Sequence, residues 1–212
     1  VRVCAVGDTP VEPGAVSVDL GLMGHRRSVA PVDGASWLAA EVQGWGEPPQ
    51  ASSSDDLVVE VTASNAARLT VGERLVPLAS VFSDGHGTSE DGAVRVELMP
   101  APRNWVRVKV LDEATGRPTP VRVHIRAADG RYLPPYGHRH EVNDRWFEDY
   151  GADVLLGSTP YAYVSGEFDV ELPTGDVFLE VAKGFDFRPV RQRVTVEAGQ
   201  RELTVGIRRE LD

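Results

Sequence analysis

The chain has 212 residues, of which 42% are hydrophobic and 25% charged, a composition that suits one or two folded domains and excludes a disordered chain. With 22 basic and 32 acidic residues the formal charge is −10. Residues 1–103 (7 basic, 14 acidic) and 104–212 (15 basic, 18 acidic) are both acidic, so neither half is suited to a phosphate backbone and no nucleic-acid partner is expected.

No apolar run nears the roughly 18 residues of a membrane span, and the opening VRVCAV lacks the basic and long apolar regions of a signal peptide. A start at Val1 without Met leads us to expect that something upstream was removed, either by processing or because this is a piece of a longer protein. The single cysteine, Cys4, rules out an internal disulfide and mildly favours a reducing, cytoplasmic setting over a secreted one; nothing else in the sequence fixes the compartment.

Apolar alternation predicts strands in the first half at Val1–Val6, Val16–Leu20, Trp37–Val42, Leu57–Thr62, Leu69–Val71, Leu75–Val81 and Val94–Leu98. Gly44–Asp56 reads as a surface connection and the polar, glycine-rich Ser83–Gly92 as a hairpin loop, with His86, Asp84, Glu90 and Asp91 read as a solvated acidic loop in preference to a cation site. Cys4 has no neighbouring base in the sequence and reads as a small buried residue. Pro100-Ala101-Pro102-Arg103 is the expected boundary, giving domains 1–100 and 104–212.

The second half is more regular. Val106, Val108 and Val110, then Val121, Val123 and Ile125, then Phe168, Val170 and Leu172 mark three strands. Val177, Leu179 and Val181, then Val190, Val194 and Val196, then Leu203, Val205 and Ile207 mark three more. Arg107, Lys109, Arg122 and Arg126 on the early strands, and Asp169, Glu171 and Glu180 on the later ones, take the outward register, where cross-strand charge pairs tune register. Ala114-Thr115-Gly116, Asp129-Gly130, Pro173-Thr174-Gly175 and Ala198-Gly199-Gln200 supply the turns. The fold class is all-β, two consecutive antiparallel β-sandwich domains.

The succession Asp112, Thr115-Gly116-Arg117-Pro118, Val121-Arg122-Val123, Asp129-Gly130, Gly166-Glu167-Phe168, Leu172-Pro173 and Gly175 resembles carboxypeptidase regulatory-like domains of the transthyretin-like superfamily. Val177 to Val181, Lys183-Gly184-Phe185, Pro189-Val190 and Val194-Thr195-Val196 before Gly199 continue it. The resemblance covers about residues 105–208 and implies a prealbumin-like Greek key for the second domain. The tandem arrangement also resembles accessory segments of metallohydrolases of the polymerase-and-histidinol-phosphatase type. That resemblance implies that catalysis belongs to a barrel outside this chain.

The second domain departs from the regulatory-like pattern at Arg131–Ser165, 35 residues where a short connection is usual. We take this insertion as an excursion removable without unfolding the domain, and as the binding surface of a non-catalytic accessory region. Its candidate ligand-binding residues are Tyr136, His138, Arg139, His140, Asn143, Asp144 and Trp146. The partner is a neighbouring domain of a longer chain, or a protein or carbohydrate ligand, because aromatic rings beside Asp, Asn and Arg stack on and hydrogen-bond to sugars. No cofactor is expected. The alternative is a metal-dependent hydrolase in which His138, His140 and Glu141 hold a transition metal such as zinc, against which stands the lack of a second ligand pair at suitable spacing.

Overall fold

A computed structural model describes residues 1–6, 11–39, 56–99, 104–142, 152–156 and 159–210. The chain divides into two compact units, Val1–Ala30 with Ala51–Pro100, and Pro31–Gln50 with Ala101–Asp212. The sequence boundary at Pro100–Arg103 differs from this division in one respect: α1 (Gly34–Ala39), from the first half, groups with the second unit. The reason is packing. Trp37 of α1 lies 6.2 Å from Phe178 and 5.8 Å from His124, ring centre to ring centre, and Val32 N–H donates to Ala128 O.

The first unit contains β1 (Arg2–Ala5), β2 (Val16–Val18), β3 (Gly21–Ser28), β4 (Asp56–Ala63), β5 (Arg68–Val71), β6 (Arg74–Pro77), α2 (Leu78–Asp84), β7 (His86–Thr88) and β8 (Val94–Glu97). One sheet runs β3-β4-β1-β8-β7 and the other β2-β5-β6. Val3, Leu57, Val59 and Val96 from the first sheet share a core with Val16, Leu69 and Val76 from the second and with Leu78 and Val81 of α2. Each such buried side chain contributes about 1.5–3 kcal/mol of transfer free energy, which is why strict alternation yields strands here.

Three sequence expectations differ in this unit or its insert. Trp37–Val42, read as a strand, begins inside α1, where the Asp33 carboxylate accepts from Ala35 N–H and the Ser36 hydroxyl at the helix start. Its remainder lies outside the described residues. Leu75–Val81, read as one strand, is split between β6 and α2, and α2 ends where Gly85 turns to φ 80°. Ser83–Gly92, read as a hairpin loop, is shorter as a loop than expected, because β7 lies within it and pairs with β8 as the hairpin's first strand.

The second unit contains β9 (Asn104–Asp112), β10 (Arg117–Pro118), β11 (Val121–Ala127), β12 (Asp153–Leu156), β13 (Thr159–Val164), β14 (Glu167–Leu172), β15 (Gly175–Ala182), β16 (Phe187–Arg188), β17 (Val190–Val196) and β18 (Glu202–Arg209). One sheet runs β10-β9-β18-β16, with β14 also paired to β9; the other runs β12-β13-β11-β15-β17. Val106, Val108 and Val110 of β9, Val170 and Leu172 of β14 and Ile207 of β18 face Val123, Ile125, Leu179 and Val181 of the opposite sheet across one core. The fold is an all-β sandwich, with one variation on the antiparallel expectation. The first and last strands, β9 and β18, run parallel, from Glu202 opposite Arg107 to Ile207 opposite Asp112.

The insertion is corrected most. Residues 131–165 include two strands of the second sheet, with Val121–Val123 of β11 paired to Val164–Ala162 of β13 and β13 paired in turn to β12. Tyr161 is fully buried. A removal of residues 136–163 would therefore take out a paired strand and its edge partner, so the insertion is structural as well as exposed.

Candidate functional site

The insertion begins at a tight turn. Gly130 adopts φ 93°, which favours glycine, and the Asp129 carboxylate accepts from both the backbone N–H and the guanidinium of Arg131. Tyr132 then bridges to Arg126 and stacks on His124 with ring centres 5.3 Å apart and planes 2° apart. Leu133 drops into the core, its N–H donating to Ile125 O. The chain crosses to the free edge of β14, where Tyr136 N–H donates to Asp169 O at 2.7 Å.

That crossing places Tyr136, 76% exposed, beside Trp105, 45% exposed, with ring centres 5.7 Å apart and planes at 75°. Trp105 sits in the outward register of β9, opposite Glu171. Two positions along, Arg107 grips Asp169 through Nε–Oδ1 at 2.6 Å and Nη2–Oδ2 at 2.8 Å. The guanidinium holds the Asp169 carboxyl below its ordinary pKa. Two exposed rings thus meet edge to face beside an oriented carboxylate, a fixed guanidinium and Glu171, an arrangement able to stack on an apolar ring face and hydrogen-bond around it.

His138 follows Gly137, whose φ is 85°. Its Nδ1 lies 2.8 Å from Asp153 Oδ1, and Asp153 Oδ2 accepts from Arg139 N–H. Both side chains are largely buried. His138 is thus drawn to β12 instead of pointing out with His140, and His140, Glu141 and Arg139 stay exposed. Among the described residues no three His, Cys, Asp or Glu side chains gather as a metal site. Asn143, Asp144 and Trp146 lie outside the described residues.

On the outer face of the second sheet the expected solvated register is overturned. Glu180 and His124 are fully buried. The Tyr161 hydroxyl donates to Glu180 Oε1 at 2.6 Å and Arg191 Nε donates to Oε2 at 2.7 Å. The His124 ring nitrogen Nδ1 is 2.7 Å from Pro160 O. Trp37 roofs this layer, with the Arg191 guanidinium 4.7 Å from its ring centre. Alternation identifies which face these residues occupy; the cover comes from Trp37 and Tyr132, which are distant or irregular in sequence.

In the first unit, Cys4 and Asp91 are both engaged. Burial pushes the Cys4 thiol up to about 12, with a hydrogen bond to Asp56 adding to it. Asp91 accepts from the Ser89 hydroxyl, Ala93 N–H and Arg74, which hold its carboxyl down at about 2. It is occupied by these donors in the solvated loop. Trp105 is the site residue that sequence reasoning passed over; its signal is a large aromatic at an outward position of a strongly alternating strand.

No family model matches the chain, and no curated protein matches it. Among solved structures, two of BcpA, the major pilin subunit of Bacillus cereus, align at 10% and 8% identity with TM-scores of 0.28 and 0.30. They cover 98% and 99% of this chain and 58% and 59% of the pilin chains. A streptococcal ancillary pilin aligns at 14% identity and a TM-score of 0.30, covering 92% of this chain and 58% of its own. The chain thus spans less than two thirds of these pilins. Overlap at this level carries no argument for function, and the fold assignment rests on the strand pairing above.

Proposed function

We propose that this chain is a non-catalytic interaction region of a larger protein, and that its second unit binds a carbohydrate on the Trp105–Tyr136 surface. The exposed edge-to-face ring pair carries the reading: two large aromatics held by a strand and a backbone hydrogen bond, yet left open to solvent. Arg107, Asp169 and Glu171 supply the polar rim. The non-catalytic part is supported by the engagement of the reactive groups: Glu180 with Arg191 and Tyr161, His138 with Asp153, and a Cys4 thiol far from ionisation at neutral pH.

We further place the second unit with the carboxypeptidase regulatory-like sandwiches. The alternating residues behind that resemblance lie on β9, β11, β14, β15, β17 and β18, and Gly116, Gly166, Gly175 and Gly184 of its motifs have positive φ, which supports the reading. Beside a metallohydrolase, such a unit would anchor or orient substrate for a barrel encoded elsewhere in the parent protein.

The test is glycan-array screening of the full chain, followed by affinity electrophoresis of Trp105→Ala and Tyr136→Ala. Both side chains are exposed, so neither truncation disturbs the core. Loss of one stacking face weakens retention roughly tenfold, the worth of about 1.4 kcal/mol. An array without hits, or variants retained as well as the parent, refutes the reading.

A further inference from the structure

A cavity of about 420 Å³ lies on the second unit where β11 begins, β13 and β15 end, and the Lys183–Pro189 connection passes. It is lined by parts of the unit other than the Trp105–Tyr136 surface, and its size is within the range of small-molecule sites. Tyr163, about half exposed, and Phe185, 84% exposed, line it with Pro120 and Pro189, so its walls are largely apolar. Two cationic residues, Arg122 and Lys183, complete it.

Neither cation meets a carboxylate among the described residues. The register of β11 sets Arg122 between Tyr163 and Ala182, and its guanidinium lies 4.4 Å from the Tyr161 ring centre. Its Nε is buried with no hydrogen-bond partner among the described residues. By contrast Arg191 and Arg193 on the same sheet face Glu180 and Asp176. The Lys183 ammonium donates to the Thr119 hydroxyl and lies over the Phe187 ring, 4.4 Å from its centre. In a chain carrying 32 acidic residues, two cations lining one apolar cavity without an acidic partner form a specific local imbalance.

We propose that this cavity binds a small organic carboxylate with an aromatic or branched apolar body. The carboxylate accepts from the Arg122 guanidinium and from the free hydrogens of the Lys183 ammonium. The apolar body lies against Tyr163 and Phe185, removing two exposed rings from water. An uncharged analogue would leave Arg122 unmatched. A compact inorganic anion would leave the rings exposed.

The experiment is a titration of the full chain with N-acetyl-phenylalanine, its uncharged amide and inorganic phosphate, read by calorimetry and by amide chemical shifts. Saturable one-to-one binding of the carboxylate is expected, weakened at least tenfold in the amide and in phosphate, with shifts at Tyr163, Ala182 and Phe185. Arg122→Gln lowers affinity at least tenfold. Phe185→Ser, at an exposed position that leaves the fold intact, lowers it severalfold. Equal binding of the amide, no saturable binding of any probe, or an unchanged affinity in Phe185→Ser overturns the proposal. The glycan assays with Trp105→Ala are independent of every one of these outcomes.

Discussion

Removing the Arg191 guanidinium is the sharpest test of the covered face on the second sheet. The pair sits at 2.7 Å with the side chains 9% and 0% exposed, so its direct attraction is about 6 kcal/mol at an effective dielectric of roughly 20. Desolvating both ions offsets most of that, and the intact pair adds little net stability. Arg191→Met changes the balance, because the Glu180 carboxylate stays buried with, among the described residues, only the Tyr161 hydroxyl as a donor. A stranded buried charge of this kind costs about 3–5 kcal/mol. Urea denaturation followed by tryptophan fluorescence reads it, since Trp37 and Trp105 both lie in the second unit. Glu180→Leu/Arg191→Met, which leaves no charge behind, is expected to lose less than Arg191→Met alone. A single-variant loss below about 1 kcal/mol, or a double variant worse than the single, would refute the reasoning that Glu180 and Arg191 form a buried ion pair.

Gly166→Ala is expected to destabilise the second unit by about 2 kcal/mol or more, measured by the same denaturation. Gly166 has φ +106°, and a methyl group there would come within 2.5 Å of Thr119 N. Asp91 gives the pH dependence. Its folded pKa of about 2 lies below the ordinary 3.8, so its contribution is present above pH 3.8 and is lost as pH falls through about 2. Carboxyl NMR titration of Ser89→Ala, which removes the largest of its donors, should move the Asp91 midpoint upward; an unmoved midpoint would contradict that assignment.

What the sequence disclosed and what it hid divide along a physical line. Strands such as β9 and β11 are legible because one face is uniformly Val or Ile and period two survives their whole length. β3 is illegible because Gly24, His25, Arg26 and Arg27 interrupt the apolar series, and its register slips between Met23 and Arg26. β13 hides differently. In Thr159–Val164 both registers carry apolar or aromatic side chains, as befits a strand buried on two faces, and the signal resembles an aromatic-rich loop. The site follows the same rule. Tyr136 stands out by composition, but its partner Trp105 lies 31 residues earlier, and long-range backbone bonds, Tyr136 to Asp169 among them, bring the two rings together. Glu180 carries the point furthest. Its outward register is correct, yet outward means solvated only when no second layer exists, and that layer is supplied by Trp37, 143 positions away on a helix within an apolar stretch that resembles a strand. Periodicity encodes which face a side chain takes; what lies over that face is a long-range fact that no local pattern contains.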